Sequence, residues 1–329
     1  MRHAAFYPNL VKLSVVFAAV LMIVCPAFAD STIDLGRGPI TIHVPASYDP
    51  GSPAPLAILL HGYGSNGEAL ERRFGFEAAA ETAGIIYAAP DGTTDLDGYP
   101  FWNATDACCD WDSLGVDDSG YLRSLIEAIQ ADYNIDERRI YCAGGSNGGF
   151  MSYRMACDHA DLIAGVVSVA GATFDNPADC TPAGPLHILQ IHGTADATVL
   201  YAGGLLYLVP YPGAVESVEI WAQYNGCDAT PVAPPDTLDL DANLPGAETT
   251  ITRYPDGCSP GGSAELWTIN GGSHVFPTTP DFGPAIAQFM LTHPKPATMA
   301  IPAVSEWGIL TMAMLVLIAG ALILRRLDG

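Results

Sequence analysis

Five residues, Gly144-Gly145-Ser146-Asn147-Gly148, set a G-x-S-x-G pattern between an apolar run, Arg139-Ile140-Tyr141-Cys142-Ala143, and a helical stretch from Phe150 to Cys157. A strand that enters a helix through so short a turn holds the central residue proud of the sheet, with the helix N-terminus beneath it. Side chains beside the serine would clash there, which accounts for glycine on both sides. The pattern predicts a nucleophile elbow carrying Ser146, and with it a strand whose C-terminal end faces a cleft.

The rest of the body agrees. Pro39 to Val44 alternates like an early strand, and Pro55 to Leu60 is a continuous apolar run, as expected of a strand buried on both faces. A helix is predicted over Gly67–Ala83, a strand over Gly84–Ala89 and an amphipathic helix over Val116–Tyr133, with Asp117 and Asp118 in its first turn. Strands follow at Ala164–Val169 and Leu186–Ile191, a helix at Ala214–Tyr224, paired strands at Thr249–Tyr254 and Ala264–Ile269, and a last helix at Phe282–Leu291. Strands alternating with helices predict an α/β fold, a mostly parallel twisted sheet flanked by helices. Residues 90–114 form a long loop rich in Asp, Gly and aromatic residues, and such loops inside a domain usually carry function.

The two ends read differently from the body. Arg2 and Lys12 precede the apolar stretch Leu13–Val24, and Ala27-Phe28-Ala29 offers small residues at the positions a signal peptidase reads. Residues 1–29 are therefore expected to be a signal peptide cut before Asp30, the apolar run being short for a span of about 20 residues. Residues 30–294 form the catalytic body and 295–300 a linker. Beyond it, Ile301-Pro302-Ala303-Val304 leads into Trp307-Gly308, the apolar run Ile309–Leu324 and Arg325-Arg326. That run is long enough to cross a bilayer, with the arginines on the cytoplasmic side. The arrangement resembles the C-terminal sorting signals of exported bacterial proteins named for an Ile-Pro-Thr-Leu motif (IPTL-CTERM), with Ala303 and Val304 in place of Thr and Leu. The resemblance implies an envelope protein held in the membrane through residues 301–329 until a sorting protease acts; a simple tail anchor is the alternative.

The chain has 13 Lys+Arg against 36 Asp+Glu, a formal charge of −23. Such a surface repels phosphate backbones and excludes nucleic-acid binding as the function. One of the eight cysteines, Cys25, lies in the leader. An odd number then remains, so at least one stays unpaired within a monomer. Cys142, in the presumed central strand, is the candidate for a buried free thiol; Cys157–Cys180 and Cys227–Cys258 are the first choices for bridges, and the sequence alone leaves the pairing open. No C-x-x-C pair or His cluster has zinc spacing, so no metal and no cofactor are expected.

A serine hydroxyl at neutral pH needs a base to take its proton and a carboxylate to orient that base. With a nucleophile elbow the expected chain order is Ser, Asp, His. His3, His43 and His61 precede Ser146; His159 follows it too soon; His187 and His192 lie in a strand; and His293 ends the last helix. His274, in the loop Gly271-Gly272-Ser273-His274 after the last strand, is the candidate base. Asp196, in His192-Gly193-Thr194-Ala195-Asp196 just past a buried strand, is the candidate acid. The tetrahedral intermediate needs two backbone N–H donors. One is expected from Asn147 and the other from Tyr63, in the glycine turn His61-Gly62-Tyr63-Gly64 that follows Leu60. Trp102 and Trp111, in the aromatic loop, are candidates for substrate binding, with ordinary loop packing the equal alternative for each.

Taken in order, Leu60-His61-Gly62-Tyr63-Gly64, Gly115-Val116-Asp117-Asp118, Gly145-Ser146-Asn147-Gly148-Gly149 with Met151, His192 to Asp196 and Gly271 to His274 resemble the secreted polyhydroxybutyrate depolymerase and feruloyl/acetylxylan esterase family of α/β-hydrolases. Trp102-Asn103 and Cys108-Cys109 look like that family's loop. The resemblance spans most of residues 35–292 and implies the same Ser-His-Asp set. It departs at Phe276, two residues after the base, where the family often has Trp.

The expected function is an exported serine esterase working through an acyl-enzyme, on hydroxyalkanoate oligoesters or polyesters or on feruloyl or acetyl esters of polysaccharide. Its partners would be the ester substrate, signal peptidase, a sorting protease and the membrane, with no nucleic acid. Short soluble oligomers or aryl esters are expected ahead of crystalline polymer. The alternatives are an exopeptidase of related fold and an inactive, surface-displayed binding protein.

Overall fold

The computed structural model describes residues 30–297. The expected leader, the end of the linker and the sorting tail lie outside the described residues. The strands are β1 Ser31–Asp34, β2 Pro39–His43, β3 Ala54–Leu60, β4 Ile86–Ala88, β5 Thr93–Thr94, β6 Pro100–Phe101, β7 Ile135–Gly145, β8 Gly165–Val169, β9 His187–Gly193, β10 Gly203–Leu206, β11 Val209–Pro212, β12 Thr237–Leu238, β13 Thr249–Tyr254 and β14 Ser263–Ile269. The helices are α1 Gly67–Phe74, α2 Phe76–Ala83, α3 Asp118–Asp132, α4 Asn147–Asp158, α5 Ala214–Tyr224 and α6 Phe282–Thr292.

Ten strands form one sheet in the order β1-β2-β4-β3-β7-β8-β9-β14-β13-β12. The pairs from β4 through β14 are parallel, and both edges are antiparallel. β3 is buried along its whole length, as its apolar run predicts. Its side chains divide with the period of two that a strand imposes. Leu56, Ile58 and Leu60 join Ile140, Cys142, Val166 and Ile188 on one face, beneath Leu122 of α3, Phe150 of α4 and Trp221 of α5. Ala57 and Leu59 join Tyr141, Ala143, Val167 and Leu189 on the other, beneath Phe74 of α1, Phe76 of α2 and Phe282 of α6. Each large apolar side chain buried this way contributes roughly 1.5–3 kcal/mol, so the central strands are the least replaceable part of the fold. The result is the mostly parallel sheet flanked by helices expected of an α/β-hydrolase.

Several details differ from the sequence reading. The helix expected over 67–83 is two helices, because Gly75 takes φ 59° and caps α1 through bonds to Arg72 O and Glu71 O. A side chain there would favour continuing the helix; glycine turns it. Asp117 is the N-cap of α3 rather than a first-turn residue, and its carboxylate accepts from Gly120 N–H. The long loop carries a small hairpin of β5 and β6. A second hairpin, β10–β11, was not anticipated. Cys157–Cys180 and Cys227–Cys258 are bridged, Cys142 is the buried free thiol, and the neighbours Cys108 and Cys109 form a third bridge. No helix among the described residues is long and apolar enough to cross a membrane. The segment expected to begin the linker still packs on the body: Lys295 N–H donates to Arg138 O and its ammonium to Ala160 O.

Candidate active site

β7 runs straight into α4 through Ser146, which takes φ 55° and ψ −121°. A non-glycine residue rarely holds such a backbone, and it persists only where its surroundings over-determine it. Here they do. A Cβ on Gly144 would meet Gly148 O at 2.1 Å, and one on Gly148 would meet Leu60 O at 1.8 Å. Only glycine lets α4 approach β3 and β7 so closely, which forces the serine outward. Ser146 N–H donates to Val169 O at 2.7 Å, tying the turn to β8.

β9 ends at Gly193 and delivers Asp196; the loop after β14 delivers His274. The structure brings these residues together across 128 and 78 positions of chain. Ser146 Oγ lies 2.9 Å from His274 Nε2, and His274 Nδ1 lies 2.7 Å from Asp196 Oδ2. The two loops are joined by backbone: Ala195 N–H donates to Gly272 O, and Gly271 N–H donates to the Thr194 hydroxyl.

Asp196 is buried, and burial alone would push its carboxyl up. Hydrogen bonds from His192 and His274, the attraction of His274 and the Thr198 N–H outweigh that and hold it well below the usual carboxylate range. The Thr198 and Val199 N–H groups both donate to Oδ1, at 2.8 and 2.9 Å. Asp196 is thus an ionised acceptor with every lone-pair direction used. His192, passed over in the sequence because it lies in a strand, has Nε2 3.2 Å from Asp196 Oδ2. The four-residue spacing of the two was its only visible signal.

The Tyr63 turn sits against the serine: a Cβ on Gly62 would lie 3.3 Å from Ser146 Cβ. Asn147 is the first residue of α4, where backbone N–H groups have no intrahelical acceptor. The turn and the helix start expected to supply the oxyanion donors thus both adjoin Ser146. Asn147 also does something the sequence did not suggest. Its side-chain carbonyl accepts from Trp102 N–H at 2.7 Å, and its amide donates to Trp102 O at 2.8 Å. This clasp, fully buried, ties the long loop to the elbow.

Trp102 is accordingly not where it was expected. It is fully buried and its indole N–H donates to His61 O. It braces the turn His61–Gly64 and is not among the residues that line the cleft. His61 completes that support, with Nε2 accepting from Gly92 N–H and Nδ1 donating to Gly62 O. Burial lowers its pKa, in keeping with a neutral ring. Trp111 does line the cleft, between Tyr63 at 4.9 Å and Tyr207 at 4.4 Å ring to ring.

The cleft above Ser146 has a volume of about 450 Å³. Tyr63, the Cys108–Cys109 pair and Trp111 contribute from the oxyanion turn and the long loop. Leu70 and Arg73 contribute from α1, Val199 and Leu206 from the segment after β9, and Val275 from the loop that bears His274. A serine hydroxyl hydrogen-bonded to an imidazole at the floor of a largely apolar cleft has the parts needed to attack a neutral carbonyl compound by acyl transfer.

The family model described as phospholipase/carboxylesterase matches residues 49–207. A putative esterase, NocK, of Nocardia uniformis subsp. tsuyamanensis is 30% identical over 250 residues, covering 69% of this chain and 68% of that protein. Feruloyl esterase B of Piromyces equi is 32% identical over 247 residues, covering 72% of this chain but 42% of that protein. The solved structure of acetyl xylan esterase from Aspergillus awamori superposes with a TM-score of 0.55 at 17% identity, covering 80% of this chain and 99% of that one. This last likeness concerns the fold.

Proposed function

We propose, from the premise that this chain belongs to the phospholipase/carboxylesterase family of α/β-hydrolases and is a carboxylic ester hydrolase, that it works as an exported serine esterase through Ser146, His274 and Asp196. One observation carries the reading: an unbroken hydrogen-bonded line from Ser146 Oγ through His274 to Asp196, on the floor of an apolar cleft.

In this mechanism Ser146 Oγ attacks the ester carbonyl as its proton passes to His274 Nε2. The ionised Asp196 keeps the ring in the correct tautomer and stabilises the imidazolium. The carbonyl oxygen, now negative, accepts hydrogen bonds from the Tyr63 and Asn147 N–H groups. As the tetrahedral species collapses, His274 returns the proton to the departing alcohol oxygen and leaves an acyl-Ser146. Water then attacks the acyl carbon as it loses a proton to His274, and when this second tetrahedral species collapses the bond to Ser146 Oγ breaks, His274 returns the proton to Oγ and the acid is released. Trp111 offers a flat apolar face to one part of the ester.

Feruloyl esters of polysaccharide are supported by the sequence resemblance and by the feruloyl esterase relative, and acetyl esters and hydroxyalkanoate oligoesters by the sequence resemblance alone. Export is supported by the leader pattern at residues 1–29 together with disulfides in the body. The tail at 301–329 is read as a membrane-held sorting signal on its sequence pattern.

The test is hydrolysis of p-nitrophenyl acetate and butyrate by wild type and Ser146→Ala, followed by methyl ferulate, acetylated xylan and hydroxybutyrate oligomers. Wild-type turnover and a loss of about 10⁴-fold or more in the variant are expected. Equal turnover in both proteins, or none in either, eliminates the esterase reading.

A further inference from the structure

Cations are scarce here, and almost all are neutralised. Among the described residues Arg37, Arg72, Arg123, Arg138, Arg139, Arg154 and Arg253 each hold a carboxylate at ion-pair distance. Arg73 is the one arginine of this region that holds none, in a chain with 36 acidic residues. It also lines the catalytic cleft.

Its polar groups are largely unspent. Nη2 makes one long bond, 3.3 Å, to His274 O. Among the described residues Nε is buried without an acceptor and Nη1 makes no hydrogen bond. Asp196 attracts the guanidinium but lies beyond ion-pair distance, and its own lone pairs are taken. Phe276 stands 5.4 Å from the guanidinium carbon, so one side of the group is apolar. A half-buried guanidinium with spare donors costs the fold free energy that no internal partner returns. Guanidinium stays charged at any working pH and matches a carboxylate in two-pronged geometry.

We propose that Arg73 is a specificity-determining residue that binds a free carboxylate on the substrate, so that the preferred esters carry an acid group within reach of the scissile carbonyl. The inference rests on the esterase reading and narrows it. Acidic surroundings do not oppose it at this range, because surface charges are screened over about 8 Å at physiological salt whereas a contact inside the cleft is not. Among the described residues every other arginine already holds a carboxylate, which leaves Arg73 as the unpaired guanidinium.

Two matched ester pairs test it. For a carboxylate on the acyl side, 4-nitrophenyl hydrogen glutarate is compared with 4-nitrophenyl valerate. For one on the alcohol side, 4-acetoxybenzoate is compared with 4-acetoxybenzamide. In at least one pair the charged-to-neutral ratio of kcat/KM falls by about tenfold or more from wild type to Arg73→Gln, the expected size for a lost charge-assisted hydrogen bond. Arg73→Lys, which keeps the charge but not the two-pronged geometry, keeps part of the ratio. A ratio unchanged by Arg73→Gln in both pairs overturns the proposal, since an arginine that only props the His274 loop would slow both esters of a pair alike. Calorimetric binding of glutarate and glutaramide to wild type and Arg73→Lys supplies an arm that survives misfolding of Arg73→Gln. Wild type binding glutarate about tenfold or more tighter than glutaramide supports the proposal, and equal binding overturns it. Failure of the esterase reading is separate: wild type then leaves all four esters intact, while the glutarate comparison still decides for or against Arg73.

Discussion

His192 and Asp196 meet through imidazole Nε2 and carboxylate Oδ2 at 3.2 Å, and the histidine's protonation form is dictated from its far side. Gln190 Nε2 donates to His192 Nδ1 at 3.0 Å, so the ring N–H must sit on Nε2, where it also meets Val199 O at 2.8 Å. Two histidines therefore address one carboxylate, one in the proposed chemistry and one holding the acid still.

His192→Phe removes a donor from Asp196 and moves its pKa up toward the unfolded value. A carboxylate depressed in the fold adds stability above its unfolded pKa, near 3.9, and that stability is lost as pH falls through the folded value. The variant therefore melts lower than wild type at pH 5–7, and the gap closes under strongly acidic conditions. Its kcat falls by about tenfold with little change in KM, the size expected for one hydrogen bond to a charged group. His192→Gln, which keeps a donor, loses less. Thermal melts across pH and steady-state kinetics check both.

The two tryptophans of the long loop separate cleanly. Trp111→Ala raises KM for aryl esters severalfold and leaves the melting temperature within a few degrees, because the ring is part of the cleft wall. Trp102→Ala destabilises by about 3–5 kcal/mol, the usual cost of deleting a buried large aromatic, and disturbs the clasp with Asn147. Denaturant unfolding of both variants gives the comparison.

Cys142 is fully buried, and burial pushes its thiol up to about 12. It stays protonated in the fold, so iodoacetamide leaves the Cys142 peptide unlabelled until the protein unfolds. The linkage has the opposite sign to that of Asp196. A thiol raised in the fold contributes nothing adverse below its unfolded pKa, and stability is lost as pH rises from about 8.5 toward 12. Cys142→Ala lacks this decline. Peptide mass mapping and alkaline melts test the two statements.

The bridges Cys157–Cys180 and Cys227–Cys258 close loops of sequence separation 23 and 31. In the chain-entropy account each adds about 3 kcal/mol by restricting the unfolded chain. Cys157→Ala/Cys180→Ala and Cys227→Ala/Cys258→Ala should each lower the denaturation midpoint by a corresponding amount, and non-reducing peptide maps verify the pairing.

The elbow and the residues around it were legible because local sequence creates them: glycines at fixed offsets, a continuous apolar strand before, a helix after. Asp196 and His274 were legible through chain order and through loops that directly follow buried strands. What stayed hidden depends on packing between distant segments. Trp102 and Trp111 share one loop and one chemistry, yet one faces the core and the other the cleft, and nothing within nine residues of sequence tells them apart. His192 and Arg73 gain their meaning only from what β9 and α1 bring near. The β10–β11 hairpin escaped notice because Tyr207 and Leu208 turn it at φ 46° and 72°, where sequence reasoning looks for Asn or Gly.

The clasp between Asn147 and Trp102 has a practical corollary for anyone redesigning this scaffold. The residue whose peptide is proposed to face the developing negative charge is the same one that grips the aromatic loop, so the two cannot be varied independently. Exchanging residues 90–114 for those of another hydrolase transplants a piece of the catalytic geometry along with the rim, and a chimera keeps its rate only if the donor loop returns a peptide group to both ends of the Asn147 amide.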